Sequence, residues 1–186
     1  KLYKMKNYNI QKDVFDWLKA AGFQRSETDM QKTVIDCFWS EIGETFLAYQ
    51  QNDKSAVLDG LVDSTWMYLN MAYFKVDNRI CHFANSELYR VEQFGVADAI
   101  SFSRAELQRY QKAVSISNWS KFCKDEAEAK ATVTAYYFGS HPDKPNKKIP
   151  TLYKQVGEKW VVYHEHTRKV LKSINYQPVQ EVLKTL

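Results

Sequence analysis

The sequence predicts a mainly α-helical protein with a small C-terminal β-hairpin. Three observations lead to this prediction. Apolar residues recur every three or four positions between about residues 10 and 74, which is the period of amphipathic helices. Near residue 151 the pattern changes to alternation, which is the period of half-buried strands. Apolar residues make up 45% of the 186 residues and aromatic residues 15%, so the chain can form a hydrophobic core.

Three helices are predicted in the N-terminal part of the chain. The first covers Ile10 to Ala21 and ends before Gly22. The second runs from about Asp29 to Gln50, and the third from about Lys54 to Phe74. Only the short polar stretch "QQND" separates the second helix from the third. We therefore expect these two helices to pack as an antiparallel hairpin.

The rest of the chain is predicted in less detail. Residues 76 to 95 are expected to be rich in loop, with at most one helical stretch. Ser103 to Val114 predicts a helix, because Ser103 and Glu106 have the spacing of a capping box. "KDEAEAKATVTAYYFG" predicts a further helix that ends at Gly139. After a proline-rich and lysine-rich turn, "TLYKQVGEKWVVYHEHTRKVLKS" predicts a β-hairpin of two or three strands.

Charge, cysteine content and hydropathy narrow the class of protein. The formal net charge of +4 suits a small polyanionic ligand such as a nucleotide, but the basic residues are scattered, so nucleic acid is not an expected partner. Cys37, Cys81 and Cys123 are odd in number and contain no CxxC pair, which argues against a disulfide framework or a structural zinc site. No apolar run has the length of a membrane span. We expect a cytoplasmic protein that does not bind membranes.

Two pairs of acidic residues lie on the predicted helix hairpin. Glu41 and Glu44 are three residues apart, and Asp59 and Asp63 are four apart, so each pair occupies one face of its helix. Lys54 is the one nearby cation that could neutralise them. A divalent metal is one explanation, because carboxylate oxygens suit Mg²⁺ or Mn²⁺. A solvated acidic face is the other. Spacing alone leaves both explanations open.

A family resemblance rests on these same residues. "ExxE" at residues 41–44 followed by "DGLVD" at residues 59–63 resembles the MazG-like all-α nucleoside triphosphate pyrophosphohydrolases, whose signature is ExxE followed by ExxD. Glu41, Glu44 and Asp63 match that signature. At the position of the remaining signature Glu this chain has Gly60, and Asp59 stands one residue earlier. This form is similar to a bacteriophage-encoded branch related to phosphoribosyl-ATP pyrophosphohydrolase, which implies the host cytoplasm as location.

Two C-terminal stretches extend the resemblance. "SNWSKF" at residues 117–122 and "KVLKSINYQP" at residues 169–178 are similar to segments of that branch. The resemblance implies a helical pyrophosphohydrolase domain over residues 1–140, in which residues 76–107 are an insertion. It implies that the hairpin and tail of residues 141–186 pack on that domain. It also implies that Asn118, Lys121 and Lys172 bind the substrate.

The resemblance implies a defined reaction. Enzymes of this family cleave a nucleoside triphosphate between its α and β phosphates, which yields a monophosphate and pyrophosphate. By resemblance Glu41, Glu44, Asp59 and Asp63 hold Mg²⁺ or Mn²⁺, and Glu41 and Glu44 are also catalytic. The general base is either a glutamate or hydroxide on the metal. A homodimer or homotetramer is implied. The alternative is a non-catalytic module that binds a nucleotide or a host protein, and Gly60 favours it because it removes one expected ligand.

Overall fold

The chain is described by a computed structural model over residues 9–23, 25–97 and 100–186. These ranges form helices and one two-stranded antiparallel sheet, so the prediction of a mainly α-helical chain with a small hairpin is confirmed. In chain order the elements are α1 (Ile10–Ala21), α2 (Glu27–Gln50), α3 (Lys54–Tyr73), α4 (Asn78–Ala97), α5 (Arg104–Trp119), α6 (Glu126–Phe138), β1 (Thr151–Val156), β2 (Lys159–His164) and α7 (Val179–Thr185).

Helices α2 and α3 form the predicted antiparallel hairpin. Each begins at a side-chain cap: the Ser26 hydroxyl accepts the N–H of Asp29 at 3.1 Å, and the Asp53 carboxylate accepts the N–H of Ala56 at 3.0 Å. In the turn between them Asn52 takes the left-handed conformation, with φ of 56°. Both helices bury one long apolar face. The buried residues of α2 are Met30, Val34, Phe38, Ile42, Thr45 and Ala48.

The prediction for residues 76 to 95 was wrong, because α4 is a continuous helix of 20 residues there. Its buried face carries Ala84, Leu88 and Val91 at the spacing of an amphipathic helix. The Val91 carbonyl accepts a hydrogen bond from the hydroxyl of Tyr49 on α2 at 2.9 Å. The many polar residues between these apolar positions hid the pattern, so the sequence was interpreted as loop.

Helix α5 confirms the predicted capping box but extends further than predicted. Ser103 N–H donates to the Glu106 carboxylate at 2.7 Å, and Glu106 N–H donates to the Ser103 hydroxyl at 3.2 Å. The helix continues past Val114 to Trp119, so the first residues of "SNWSKF" form its last turn.

The C-terminal elements match the predicted order. Helix α6 ends at Gly139, whose φ of 71° is the left-handed conformation of a C-terminal cap. β1 and β2 form a two-stranded hairpin, and no third strand joins it among the described residues. Isolated bridges instead join Trp160 to Cys123 and Tyr163 to Val170. The short helix α7 was not predicted.

The chain divides into two compact units. Unit 1 comprises Lys1–Phe15, Ser26–Ser115 and Leu186, and unit 2 comprises Asp16–Arg25 and Ile116–Thr185. The domain division at residue 140 implied by the family resemblance stays a prediction. No helix in the described ranges is long and apolar enough to cross a membrane.

Candidate functional site

The predicted acidic residues line one cleft in unit 1, which we call the acidic cleft. Its volume is about 330 Å³, at the low end of the range for small-molecule sites. Helices α2 and α3 both contribute to its wall. Its lining residues are Glu41, Glu44, Leu47, Ala48, Gln51, Ala56, Asp59, Gly60 and Asp63.

Helical spacing explains why these carboxylates meet at one cleft. Glu41 and Glu44 lie one turn apart on α2, and Asp59 and Asp63 lie one turn apart on α3. The antiparallel hairpin brings the two pairs to the same opening. The small lining residues Ala48, Ala56 and Gly60 leave room there for a ligand. The four side chains line the same cleft, and their assignment to one metal site stays a prediction.

Asp59 has one carboxylate oxygen that is shielded from solvent. Its Oδ1 atom is buried and has no hydrogen-bond partner among the described residues. Burial raises the pKa of Asp59 above its ordinary value of 3.8. A buried oxygen without a donor is costly to a protein. A water molecule or a ligand in the cleft would supply the missing partner.

The other three carboxylates differ in exposure. Glu44 is exposed, and its Oε1 accepts a hydrogen bond from the Ser40 hydroxyl at 3.1 Å. Glu41 and Asp63 are half-buried, as is Asp59. The acidic cleft therefore combines one exposed carboxylate with three half-buried ones.

Lys54 is paired with a residue outside the acidic cleft. Its ammonium lies 2.7 Å from the Glu106 carboxylate on α5. That contact lowers the pKa of Glu106 to about 2, since hydrogen bonds from Lys54 and from Ser103 favour the ionised form. The cation that the sequence offered as a neutralising partner for the cleft is thus engaged elsewhere.

Gly60 occupies the closest approach between α2 and α3. A Cβ atom at this position would overlap the hydroxyl of Thr45 and lie 3.3 Å from the Thr45 Cα. Thr45 is fully buried and cannot easily move, because its hydroxyl donates to the Glu41 carbonyl at 2.7 Å. A glutamate therefore cannot occupy position 60 without separating the helices. The packing at residue 60 therefore favours glycine.

The donor atoms of the acidic cleft suit a hard divalent cation. All are carboxylate oxygens, and the buried Asp59 oxygen has no protein donor among the described residues. The side chains do not form a closed ligand set: no three His, Cys, Asp or Glu residues in the described ranges are grouped so as to hold a metal ion. Mg²⁺ typically binds one or two carboxylates and takes its other ligands from water and phosphate. The cleft fits that open type of site.

The predicted substrate-binding residues Asn118, Lys121 and Lys172 lie in unit 2. The Lys121 ammonium donates to Asn118 Oδ1 at 2.5 Å and lies 5.8 Å from the centre of the Trp17 ring. The Asn118 carbonyl accepts the indole N–H of Trp17 at 2.8 Å. These contacts hold Lys121 half-buried against an aromatic surface.

Lys172 forms an ion pair that the sequence did not reveal. Its ammonium lies 2.6 Å from the Asp143 carboxylate and 4.4 Å from the centre of the Tyr176 ring. Asp143 in turn donates its backbone N–H to Nδ1 of the buried His141 at 3.2 Å. Because 29 residues separate Lys172 from Asp143, no local pattern could have predicted this pair.

The two C-terminal stretches that carry the family resemblance lie side by side in unit 2. Ser173 N–H donates to the Lys121 carbonyl at 3.1 Å, and Gln177 N–H donates to the Ser120 hydroxyl at 2.9 Å. The hydroxyls of Ser117 and Tyr176 share a hydrogen bond of 2.8 Å. Lys121 and Lys172 therefore project from neighbouring segments. We call residues 117–122 and 171–177 the basic segment pair.

Comparison with known proteins assigns no family or function to this chain. No protein-family model matches the chain, and comparison with curated proteins and with solved structures gives no match.

Proposed function

We propose that this protein is a divalent-metal-dependent nucleoside triphosphate pyrophosphohydrolase with a MazG-like helical fold. The acidic cleft is the observation that carries the proposal. Two helices present four carboxylates to one opening, and one of their oxygens is buried without a donor. Such a cleft repels an anionic substrate unless a cation is bound there.

Each carboxylate has a proposed role. Glu41, Glu44, Asp59 and Asp63 hold Mg²⁺ or Mn²⁺, and Glu41 or Glu44 orients the attacking water. When bound, the metal neutralises phosphate charge and acts as a Lewis acid. Asp59 takes the place of the signature glutamate that the contact between Gly60 and Thr45 excludes.

The basic segment pair supplies the proposed phosphate contacts. Lys121 and Lys172 are the proposed phosphate-binding residues of unit 2, and Asn118 orients Lys121 through their hydrogen bond. An ammonium that meets developing negative charge lowers the barrier to phosphoryl transfer.

The test is pyrophosphate release from a panel of ribo- and deoxynucleoside triphosphates with Mg²⁺ or Mn²⁺. We expect equal amounts of monophosphate and pyrophosphate, with no release in the presence of a chelator. Nucleotide binding without release of pyrophosphate from any panel member would favour the non-catalytic binding module. The non-catalytic binding module remains a second candidate because, among the described residues, the carboxylates are not grouped so as to hold a metal ion by themselves.

We also propose that the protein is a homodimer or homotetramer. Helix α4 carries three large apolar side chains at different positions around its surface, Ile80, Phe83 and Tyr89, which are 37%, 56% and 62% exposed. Contact with a second copy of the chain would cover part of this apolar surface. Light scattering should give the mass of two or four chains, and a monomer at every concentration would contradict this assignment.

A further inference from the structure

One edge of the small sheet in unit 2 is open. On the outer edge of β2, Trp160 exchanges two backbone hydrogen bonds with Cys123, at 2.8 and 3.2 Å. Gln155, the β1 partner of Trp160, therefore belongs to a pair that is not hydrogen-bonded within the hairpin. Because strand residues alternate, the N–H and carbonyl groups of Thr151, Tyr153 and Gln155 all point to the outer edge of β1. They have no hydrogen-bond partner there among the described residues.

A groove with two exposed aromatic rings adjoins the start of this edge, and we call it the aromatic groove. Its volume is about 310 Å³, and it lies between the C-terminal half of α6 and the start of β1. Tyr137 and Phe138 line it and are 65% and 66% exposed. Their ring centres are 5.1 Å apart and their planes are nearly perpendicular, at 88°. The face of an accessible aromatic ring attracts a cation.

Glu165 is the charged residue of the aromatic groove. Its backbone N–H donates to the Pro150 carbonyl at 2.9 Å, which holds it beside the start of β1. Its side chain is exposed and forms no ion pair with a basic residue of the described ranges. Lys154 lies on the face of β1 opposite to Thr151, and its ammonium is 5.9 Å from the centre of the Tyr163 ring. The aromatic groove therefore combines exposed rings with a carboxylate that no neighbouring cation neutralises.

Thr151 connects the aromatic groove to the open edge. It lines the groove, and its backbone groups belong to the edge. Tyr153 lies on the same face of β1 and donates its hydroxyl to the Glu126 carboxylate at 3.3 Å, so this face is turned towards α6. Side chains directly opposite each other on neighbouring strands lie on the same face. The residue of an added strand that pairs with Thr151 would therefore project its side chain into the aromatic groove.

Exposure and charge narrow the occupant of the groove. Because Tyr137 and Phe138 are about two-thirds exposed, a small cation alone would leave much of both rings in water, whereas a chain on the edge would cover them. Unit 2 contains 14 Lys and Arg residues and 8 Asp and Glu residues, a net charge of +6, which opposes a polybasic segment. A segment with one basic side chain among uncharged residues meets the local carboxylate without that repulsion.

We infer that the aromatic groove binds one arginine side chain of an extended segment of a partner protein, and that the backbone of this segment pairs with the outer edge of β1. The planar guanidinium can lie against an aromatic ring and donate two hydrogen bonds to the Glu165 carboxylate. Backbone hydrogen bonds to Thr151 and Tyr153 hold the segment in register. This site is separate from the acidic cleft and does not depend on hydrolysis.

Four blocked synthetic peptides test the inference by titration calorimetry on the full chain. The first alternates threonine and valine over nine residues and has arginine at its centre. The second has citrulline there, which keeps the shape of the arginine side chain without its charge, and the third has glutamate. The fourth keeps the arginine but has proline on both sides, which prevents strand pairing. We expect the arginine peptide to bind roughly tenfold more tightly than each of the others, and hydrogen exchange to slow at the amides of residues 151 and 153.

Matched variants separate the groove carboxylate from the general charge of the unit. Glu165→Gln should lower the preference for arginine over citrulline by roughly fivefold or more. Glu158→Gln should leave that preference unchanged, because Glu158 is an exposed carboxylate in the turn between β1 and β2 and does not line the groove. Tyr137→Ser should weaken the arginine peptide while the melting temperature stays close to that of the wild type, since the ring is mostly exposed.

Three results would overturn the inference. The first is equal binding of the arginine and citrulline peptides, or an unchanged preference in Glu165→Gln. The second is equal binding of the peptide with flanking prolines, because the edge of β1 would then play no part. The third is binding of free methylguanidinium as tightly as the arginine peptide, which would make the groove a small-molecule site.

Discussion

Unit 1 and unit 2 differ in charge and in the way each places its polar side chains. Unit 1 contains 12 Lys and Arg residues and 14 Asp and Glu residues, which gives a net charge of −2. Unit 2 contains 14 Lys and Arg residues and 8 Asp and Glu residues, which gives +6, and together they give the net charge of +4. The small net charge of the whole chain is therefore the sum of a negative net charge on unit 1 and a positive net charge on unit 2.

The two candidate sites also differ in how the fold brings their residues together. The carboxylates of the acidic cleft are placed by two helices joined by a three-residue turn, so their positions follow from local spacing. The basic segment pair depends on hydrogen bonds between residues about 50 apart, such as Ser173 to Lys121. We propose that the first site holds a metal and the second binds phosphate. The following predictions test that division.

The largest effect is expected from the acidic cleft. Glu44→Gln or Asp63→Asn should reduce metal-dependent pyrophosphate release by a factor on the order of 10³ or more, because each removes a charge that holds the metal. The fold should remain intact. Steady-state pyrophosphate release measures the loss, and circular dichroism checks the fold.

Asp36 offers the matched control for this prediction. It is an exposed carboxylate on α2 that does not line the acidic cleft. Asp36→Asn should leave pyrophosphate release unchanged. Full activity in both Glu44→Gln and Asp63→Asn would show that the cleft does not bind the metal.

The next largest effect is expected at Lys121. Lys121→Ala should cost about 2–4 kcal/mol of transition-state stabilisation, seen as a lower kcat/KM, because it removes one ammonium from the phosphates. The free energy of unfolding should fall by about 0.5–1 kcal/mol, because the substitution also removes the hydrogen bond to Asn118 and the contact with the Trp17 ring. Lys124→Ala, at an exposed lysine in the next turn of the chain, should affect neither. Wild-type kcat/KM in Lys121→Ala would show that this lysine is an ordinary surface residue.

A smaller effect on stability should come from the helix contact beneath the acidic cleft. Gly60→Ala should lower the free energy of unfolding by about 1–3 kcal/mol, because its methyl group would overlap the Thr45 hydroxyl. Gly43 is a control on the partner helix, since a Cβ there meets no atom within 4 Å. Gly43→Ala should stabilise the protein by about 0.5–1 kcal/mol. Urea denaturation measures both, and effects of the same sign would contradict the proposed close contact.

The sequence predicted the parts of this molecule that depend on local pattern. The hairpin of α2 and α3, the capping box at Ser103 and the cap at Gly139 each follow from residues close together in the chain. The grouping of the four carboxylates followed from the same helical spacing. The metal-binding and catalytic roles of these residues rest on the family resemblance and stay predictions.

What the sequence could not predict depends on residues far apart in the chain. Only the structure shows that Lys54 pairs with Glu106, and that Asp143 pairs with Lys172. The sequence also does not show that a side chain at position 60 would overlap the Thr45 hydroxyl. Helix α4 was missed for another reason, because its buried residues are few and widely spaced among polar ones.

The smallest effect is expected from Asp59 in the absence of metal. Its pKa is raised by burial, so the native state favours the protonated form more than the unfolded state does. At a pH above the raised pKa the carboxylate is charged in both states, and burying that charge opposes folding. Asp59→Asn should therefore stabilise the metal-free protein at such a pH, by an amount on the order of 1 kcal/mol.

The pH dependence and the metal dependence of the Asp59→Asn effect provide two further tests of the acidic cleft of unit 1. As the pH falls from above the raised pKa towards 3.8, wild-type Asp59 takes up a proton and its penalty disappears, so the melting temperatures of wild type and variant should converge. Adding Mg²⁺ or Mn²⁺ at pH 7 should raise the melting temperature of the wild type more than that of the variant, since the metal pairs with the buried oxygen. Asp36→Asn should show neither response. A variant that is less stable than wild type at pH 7, or a stability difference that is the same at pH 4 and pH 7, would mean that the buried Asp59 oxygen already has a partner within the fold, and the acidic cleft would lose its strongest indication of a ligand.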